Sequence, residues 1–253
     1  APKLAPATLT SYRNNFRVHI KPYVGEIPLR ELTTYHIQKM LDGIGGSLST
    51  FVKNYNVIHG ALEKAVELGM IPRNPCKGVA FPADDKGDMR VLTQEEQQRF
   101  IAALDGEYYK VMLLTYLYTG MRAGECIPLQ WKDVDLNKRT IRVNKKAILN
   151  HDFTKHSAKQ EIQDFCKTKS SKRTVAITAG LTAILTEHKE NMRERAEALG
   201  LDWSEDSLVF WNTRNKIVQY SNLKESLNKV YRKAGIEGAT MHTLRHTYAT
   251  RCF

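Results

Sequence analysis

The sequence contains no internal repeat, no low-complexity tract and no run of about 18 consecutive apolar residues. A solenoid and a helical membrane span are therefore not expected. Cysteine is scarce: Cys76, Cys126, Cys166 and Cys252 are the four, scattered without a C-x-x-C pair. That spacing argues against a structural zinc site and against a disulfide framework, and it suits a reducing, cytoplasmic setting. No cluster of His, Cys or carboxylates has metal-ligand spacing, so neither a metal nor another cofactor is expected and a metal-dependent nuclease is disfavoured. The first residues, Ala1-Pro2-Lys3-Leu4, offer neither an initiator Met nor the apolar stretch of a signal peptide. The chain is expected to begin inside a longer protein.

Acidic residues are also in deficit. Against 38 Lys and Arg stand 27 Asp and Glu, a net charge of +11. Such a surplus favours a polyanionic partner through counterion release and steering, and nucleic acid is the commonest one. The surplus is shared along the chain: residues 1–85 have a net +3 and the remainder a net +8. Both halves are thus suited to one long anion.

Apolar residues make up 42% of the 253, enough for real cores, and the length is comfortable for two domains. Residues 1–83 read as helical. Leu9, Tyr12, Phe16 and Ile20 recur at helical spacing, Thr33 can cap a short helix burying Ile37, Met40 and Leu41, and Ser47 or Ser49 can open a longer one. That longer helix has the stripe Phe51, Tyr55, Ile58, Leu62 and Ala65, the pattern of a bundle core, with Lys53, Asn54 and Lys64 assigned to its polar face. Gly69 ends it. A polar, Pro- and Gly-bearing stretch follows, and residues 84–91 are expected to link the two domains. From 92 to 253 the reading is helical with a small sheet. T-x-x-E at Thr93 and Glu96 forms a capping box. Residues 139–143 alternate as a strand, and 163–167 with 173–177 suggest two strands around a polar tip. Helices are expected over 179–199, 221–234 and 242–253.

Three patches stand out. The first is Thr119-Gly120-Met121-Arg122-Ala123-Gly124-Glu125 at a turn between helices. The second is Lys167-Thr168-Lys169-Ser170-Ser171-Lys172-Arg173. The third is His242-Thr243-Leu244-Arg245-His246-Thr247 at the start of the last helix. Each has an ordinary explanation alone. Arg122 and Glu125 can pair locally, a basic loop is usually a solvated one, and His242 and Arg245 share a helix face that suits carboxylate contacts.

In this order and context the patches resemble the tyrosine recombinases of phage and conjugative-transposon integrase type. The family pattern is an Arg in T-G-x-R-x-x-E, a Lys in a β-hairpin, and H-x-L-R-H. The resemblance covers nearly the whole chain, and H-T-L-R-H-T-Y-A-T is its most specific piece. It implies a mainly α fold with a small antiparallel β-sheet, in two domains: a helical core-binding domain at 1–83 and a mixed α/β catalytic domain at 92–253. It implies catalytic roles for Arg122, Lys167 (or Lys169), His242 and Arg245, with Glu125 orienting Arg122. The implied reaction cuts and rejoins DNA through a 3′-phosphotyrosyl intermediate. Double-stranded recombination sites are the expected partner, with assembly of dimers to tetramers on DNA, in the bacterial cytoplasm at the nucleoid and away from membranes. Lys53, Asn54, Lys169, Lys172 and Arg173 are the candidate DNA contacts.

The family's nucleophilic tyrosine lies some tens of residues beyond H-x-L-R-H, whereas this sequence stops at Phe253. The chain is therefore expected to be truncated and inactive alone. Tyr248 lacks the family context and reads as a packing residue. Two alternatives share the fold: a noncatalytic DNA-binding protein and a type IB topoisomerase.

Overall fold

A computed structural model of the chain describes residues 6–83, 89–152, 157–164 and 172–251. The chain divides into two compact units, residues 1–87 with 150–157, and residues 88–149 with 158–253. Its architecture is mainly helical with small antiparallel sheets.

The first unit is built from α1 (Pro6–Asn15), a π-helical turn (Phe16–Ile20), α2 (Lys21–Val24), α3 (Thr34–Ile44) and α4 (Leu48–Glu67). Its helix starts follow the sequence signals. The Thr33 side chain accepts from His36 N, and the Ser47 side chain from Thr50 N, so capping oxygens satisfy amides that the first turn leaves free. Ile20, Ile37, Met40, Phe51, Ile58 and Leu62 are central to its core. Of the first stripe only Ile20 is buried, while Leu9, Tyr12 and Phe16 are exposed. The π turn is the reason: its i→i+5 bonding puts more residues into the turn and rotates the face that an uninterrupted α-helix would have kept aligned.

Asn54 overturns its assignment to a polar, DNA-facing surface. It is 1% exposed, and its Nδ2 donates to Thr50 O at 2.9 Å. The buried positions of α4 are 51, 54, 58, 62 and 65, a run of three- and four-residue steps that places 54 inside the apolar stripe and Tyr55 at its edge. Lys53 is exposed as expected.

The second unit contains α5 (Gln94–Ala103), α6 (Lys110–Thr119), α7 (Ala123–Cys126), β1 (Val134–Asp135), β2 (Thr140–Val143), β3 (Lys145–Asp152) and β4 (Ser157–Asp164) apart from residues 150–152 and 157, which group with the first unit, then β5 (Arg173–Ala176), α8 (Ala179–Ala198), α9 (Tyr220–Lys233) and α10 (Met241–Arg251). The capping box at the start of α5 forms between Thr93 and Glu96. Helix α6 is buried nearly all round, from Met112 to Leu117, as a central helix must be. Trp131, Phe100, Tyr116 and Leu244 join the same core. Arg90, in the expected connecting segment, and Leu92, just after it, are bonded into this unit: Arg90 pairs with Glu96 at 2.5 Å, and Leu92 N donates to Thr247 Oγ1 at 2.9 Å. Residues 84–88 lie outside those described.

The sheets correct one expectation. Strands β1, β2 and β5 form a three-stranded antiparallel sheet, with Ile141 opposite Val175 and Val143 opposite Arg173. Strand β4 pairs instead with β3 and covers only residues 163 and 164 of the expected strand 163–167, the rest of which, with the basic tip up to residue 171, lies outside the described residues. The run from Lys145 to Asp164 lacks apolar alternation, so the pairing of β3 with β4 leaves little trace in the sequence. Asp133, just before β1, has a side chain 1% exposed and gathers Arg142 (3.2 Å), Asn144 (2.8 Å) and Lys145 (3.0 Å).

Candidate active site

Helix α6 stops at Gly120, whose backbone is left-handed (φ 58°) and whose N–H donates to Tyr116 O at 3.2 Å. Glycine takes this conformation without the steric cost borne by other residues. Space demands it as well: a Cβ at position 120 would lie 2.3 Å from Tyr248 Cδ1. The chain reverses here and Arg122 caps α7 in an extended conformation. A second glycine serves close approach, since a Cβ on Gly124 would stand 3.1 Å from Ala147 O in β3.

The reason for the Arg-x-x-Glu spacing is visible at this turn. Glu125, three residues on, accepts from Arg122 N at 2.8 Å and from Arg122 Nη1 at 3.1 Å. Its side chain is 4% exposed, whereas that of Arg122 is 61% exposed. The same carboxylate is gripped by both ends of a second guanidinium. Arg173 Nη1 donates to Oε1 at 3.1 Å and Nη2 to Oε2 at 2.7 Å. Burial raises the Glu125 carboxyl, but the hydrogen bonds from Arg173, then from Arg122 N–H, outweigh it and hold the group below the usual carboxylate range.

Helix α10 brings the third patch to the same place. Arg245 is half-buried, and its guanidinium donates to Gly120 O. Burial first, then the like charges of Arg122 and Arg173, lower its pKa, with Glu125 acting in the opposite sense. Among the described residues no carboxylate lies within ion-pair distance of Arg245. A cleft of about 390 Å3 opens here, lined by Thr119, Gly120, Arg173, Arg245 and Tyr248. The opposite face of α10 is seated in the core, where buried Thr247 accepts from Leu92 N and donates to Thr243 O at 2.8 Å.

The structure thus gathers Arg122, Glu125, Arg173 and Arg245. His242 is exposed one turn before Arg245 on α10, its ring centroid 6.2 Å from that of half-buried His246. Lys172 is exposed. Lys167 and Lys169 lie outside the described residues. Tyr248 is half-buried with its ring against Gly120. The sequence reading missed the bond of Arg173 to Glu125, for which a signal existed. In Arg173-Thr174-Val175-Ala176 the first and third residues are the less exposed ones, so alternation sets Arg173 on the face that Val175 turns to the core.

Residues 90–253 match the Phage integrase family and residues 1–44 the Phage integrase N-terminal SAM-like domain. A XerC-like tyrosine recombinase of Caldanaerobacter subterraneus subsp. tengcongensis is 29% identical, over 98% of this chain and 67% of that protein. The chain spans about two thirds of the length of such curated relatives, from 63% to 71%. Among solved structures, the Tn1549 transposon integrase in complex with a circular intermediate DNA superposes with a TM-score of 0.82 at 18% identity, over 99% of this chain and 82% of that one. A lambda integrase dimer bound to a COC′ core site gives 0.67 at 17% identity, over 98% and 80%. These likenesses share the fold, and the match over residues 90–253 carries the assignment: the chain belongs to the phage integrase family of tyrosine recombinases.

Proposed function

We propose that this chain is the DNA-holding and phosphoryl-transfer body of a site-specific recombinase. The observation that carries the reading is the charge of the cleft. Two guanidiniums, of Arg122 and Arg173, bind one buried carboxylate, and a third, of Arg245, stands beside them with no carboxylate partner among the described residues and lines the opening with Arg173. In-line attack on a phosphodiester adds negative charge to its non-bridging oxygens, and two fixed guanidinium forks hold those oxygens without a metal. Arg122 and Arg245 take that role. His242 donates to the same phosphate or moves the nucleophile's proton. Lys167, or Lys169, protonates the departing 5′ oxygen. A phosphotyrosyl link conserves the bond energy, so rejoining needs no ATP. The nucleophile is a tyrosine outside these 253 residues, a reading supported by the greater length of the curated relatives and by the packing of Tyr248 on Gly120.

Residues 1–83 act as the core-binding domain and 92–253 as the catalytic one, both on duplex DNA, with Lys53 and Lys172 near the backbone. Assembly on DNA follows the lambda integrase dimer bound to its core site. The setting is the bacterial cytoplasm.

The test uses a nicked suicide duplex carrying the element's end. This chain binds it without a covalent adduct, while the longer protein forms one. Arg122→Lys in the longer protein keeps duplex affinity within about threefold and lowers cleavage by about a thousandfold. An adduct formed by this chain and lost in Tyr248→Phe overturns the assignment of the nucleophile. Affinity that collapses in Arg122→Lys, with no cleavage by any variant, leaves a DNA-binding protein of the same fold.

A further inference from the structure

We infer that Arg173 is a positioning residue: by occupying both oxygens of Glu125 it prevents that carboxylate from capturing Arg122, so the Arg122 guanidinium stays turned to the DNA phosphate. The inference rests on the phosphoryl-transfer reading above.

Lone pairs on Glu125 limit what Arg122 can do. A carboxylate offers about four acceptor sites, two on each oxygen. On Glu125, Oε1 takes Arg122 Nη1 (3.1 Å) and Arg173 Nη1 (3.1 Å), while Oε2 takes Arg122 N (2.8 Å) and Arg173 Nη2 (2.7 Å). All four sites are filled. Arg122 is thereby limited to one side-chain bond, and its remaining N–H donors extend from a side chain that is 61% exposed. Arg173 is different. Its fork is committed to Glu125 and its side chain is 31% exposed, so anchoring describes it better than the phosphate contact assigned from sequence.

Remove the Arg173 fork and two acceptor sites open on a carboxylate only 4% exposed. A buried charge left short of partners is costly, and Arg122 is the guanidinium already bonded to it. Arg122 then swings into a two-pronged pair with Glu125 and leaves the phosphate. Arg173 also opens β5, six positions after Lys167 in the sequence. The same bond therefore ties the chain that leaves the lysine-bearing segment to the turn that presents Arg122.

Two signatures separate this role from plain structural support. Neutralising Glu125 abolishes the capture, so a second substitution there restores what the first removed. Acid does the same. Without Arg173 the burial of Glu125 loses its chief opponent and the carboxyl titrates at higher pH; below that pH it is neutral and releases Arg122.

Strand cleavage of the suicide duplex by the full-length enzyme is compared for wild type, Arg173→Gln, Glu125→Gln, the double variant and Arg173→Lys, with duplex affinity measured for each. Arg173→Gln is expected to cleave about 100-fold more slowly near neutral pH, as small misplacements of catalytic groups do, with affinity within about threefold. Its deficit shrinks as pH falls, and the double variant recovers about tenfold or more over Arg173→Gln. Arg173→Lys, a point charge without the fork, falls between. A double variant no faster than Arg173→Gln, a deficit equal at every pH, or a loss that follows affinity overturns the inference. Should Arg173→Gln melt below the assay temperature, Arg173→Lys with and without Glu125→Gln decides between the same outcomes. A wild-type enzyme that forms no adduct removes the phosphoryl-transfer reading and this inference together; a wild-type adduct with no rescue removes only this one.

Discussion

Two buried carboxylates in the second unit have nearly the same surroundings, yet only one belongs to a candidate active site. Asp133 binds Arg142 and Lys145; Glu125 binds Arg122 and Arg173. Each has one well-exposed partner, Arg142 at 60% and Arg122 at 61%, and one sheltered partner, Lys145 at 15% and Arg173 at 31%. Ion pairs of this kind say little about function by themselves. The difference is a third cation without a carboxylate of its own among the described residues, for Lys132, which feels the charge of Asp133, is paired with Asp206. Beside Glu125 stands Arg245, half-buried, bonded to a backbone carbonyl and depressed in pKa by burial and by its like-charged neighbours. Folding has concentrated positive charge there that the carboxylates among the described residues leave uncompensated, a surplus that suits an anion. The surplus, not the salt bridge, distinguishes the two.

The comparison is sharpened most by removing the surplus. Arg245→Gln in the full-length recombinase is expected to slow strand cleavage by about a thousandfold, at the upper end for loss of one preorganised donor. Arg142→Gln, which thins the ring around Asp133, is expected to leave cleavage within about threefold, since it touches no reacting group. Single-turnover cleavage of the suicide duplex reads both. Equal losses would show that overall basicity, and not the arrangement about Glu125, drives the reaction.

How much of this could be read beforehand follows from what each pattern encodes. T-G-x-R-x-x-E was legible because each letter has a local cause: Gly120 needs a left-handed backbone, and Glu125 reaches back to the Arg122 amide. The capping residues Thr33, Ser47 and Thr93 were legible for the same reason. Arg245 and His242 share a face by helical arithmetic alone. Contacts across the fold were harder. Arg173 reaches Glu125 only because β5 pairs with β2 rather than with β4, and strand partners of that kind are weakly written in polar segments. Asn54 was misplaced because composition suggested a polar face where spacing dictates an apolar one; burial leaves its Oδ1 without a hydrogen-bond partner.

A second way to separate the two carboxylates is through stability. Asp133→Asn leaves Arg142 and sheltered Lys145 without their counter-charge, and an expected loss of about 3 kcal/mol places it at the low end for breaking a buried ion pair. Glu125→Gln is expected to cost less, because both of its cationic partners reach solvent more readily than Lys145 does. Urea unfolding of the chain measures each. Cleavage per folded molecule should rank the other way, with Asp133→Asn close to wild type. A variant of Asp133 that folds well and cleaves poorly would dissolve the distinction between structural and functional acid.

The smallest effect lies in the acid limb of stability. The Glu125 carboxyl is held below its ordinary range in the folded chain, burial raising it and the bonds from Arg173 and Arg122 N–H more than offsetting that. As pH falls, the unfolded chain takes up this proton first. The stabilisation from Glu125 is therefore fully present above the ordinary carboxylate range and is lost as pH drops through it toward the folded value. Unfolding free energy measured from neutral pH into the acid range should accordingly fall less steeply in Glu125→Gln than in wild type. A parallel pair of curves would mean that the proton is bound equally in both states, and that the two arginines hold the side chain in place without holding its charge.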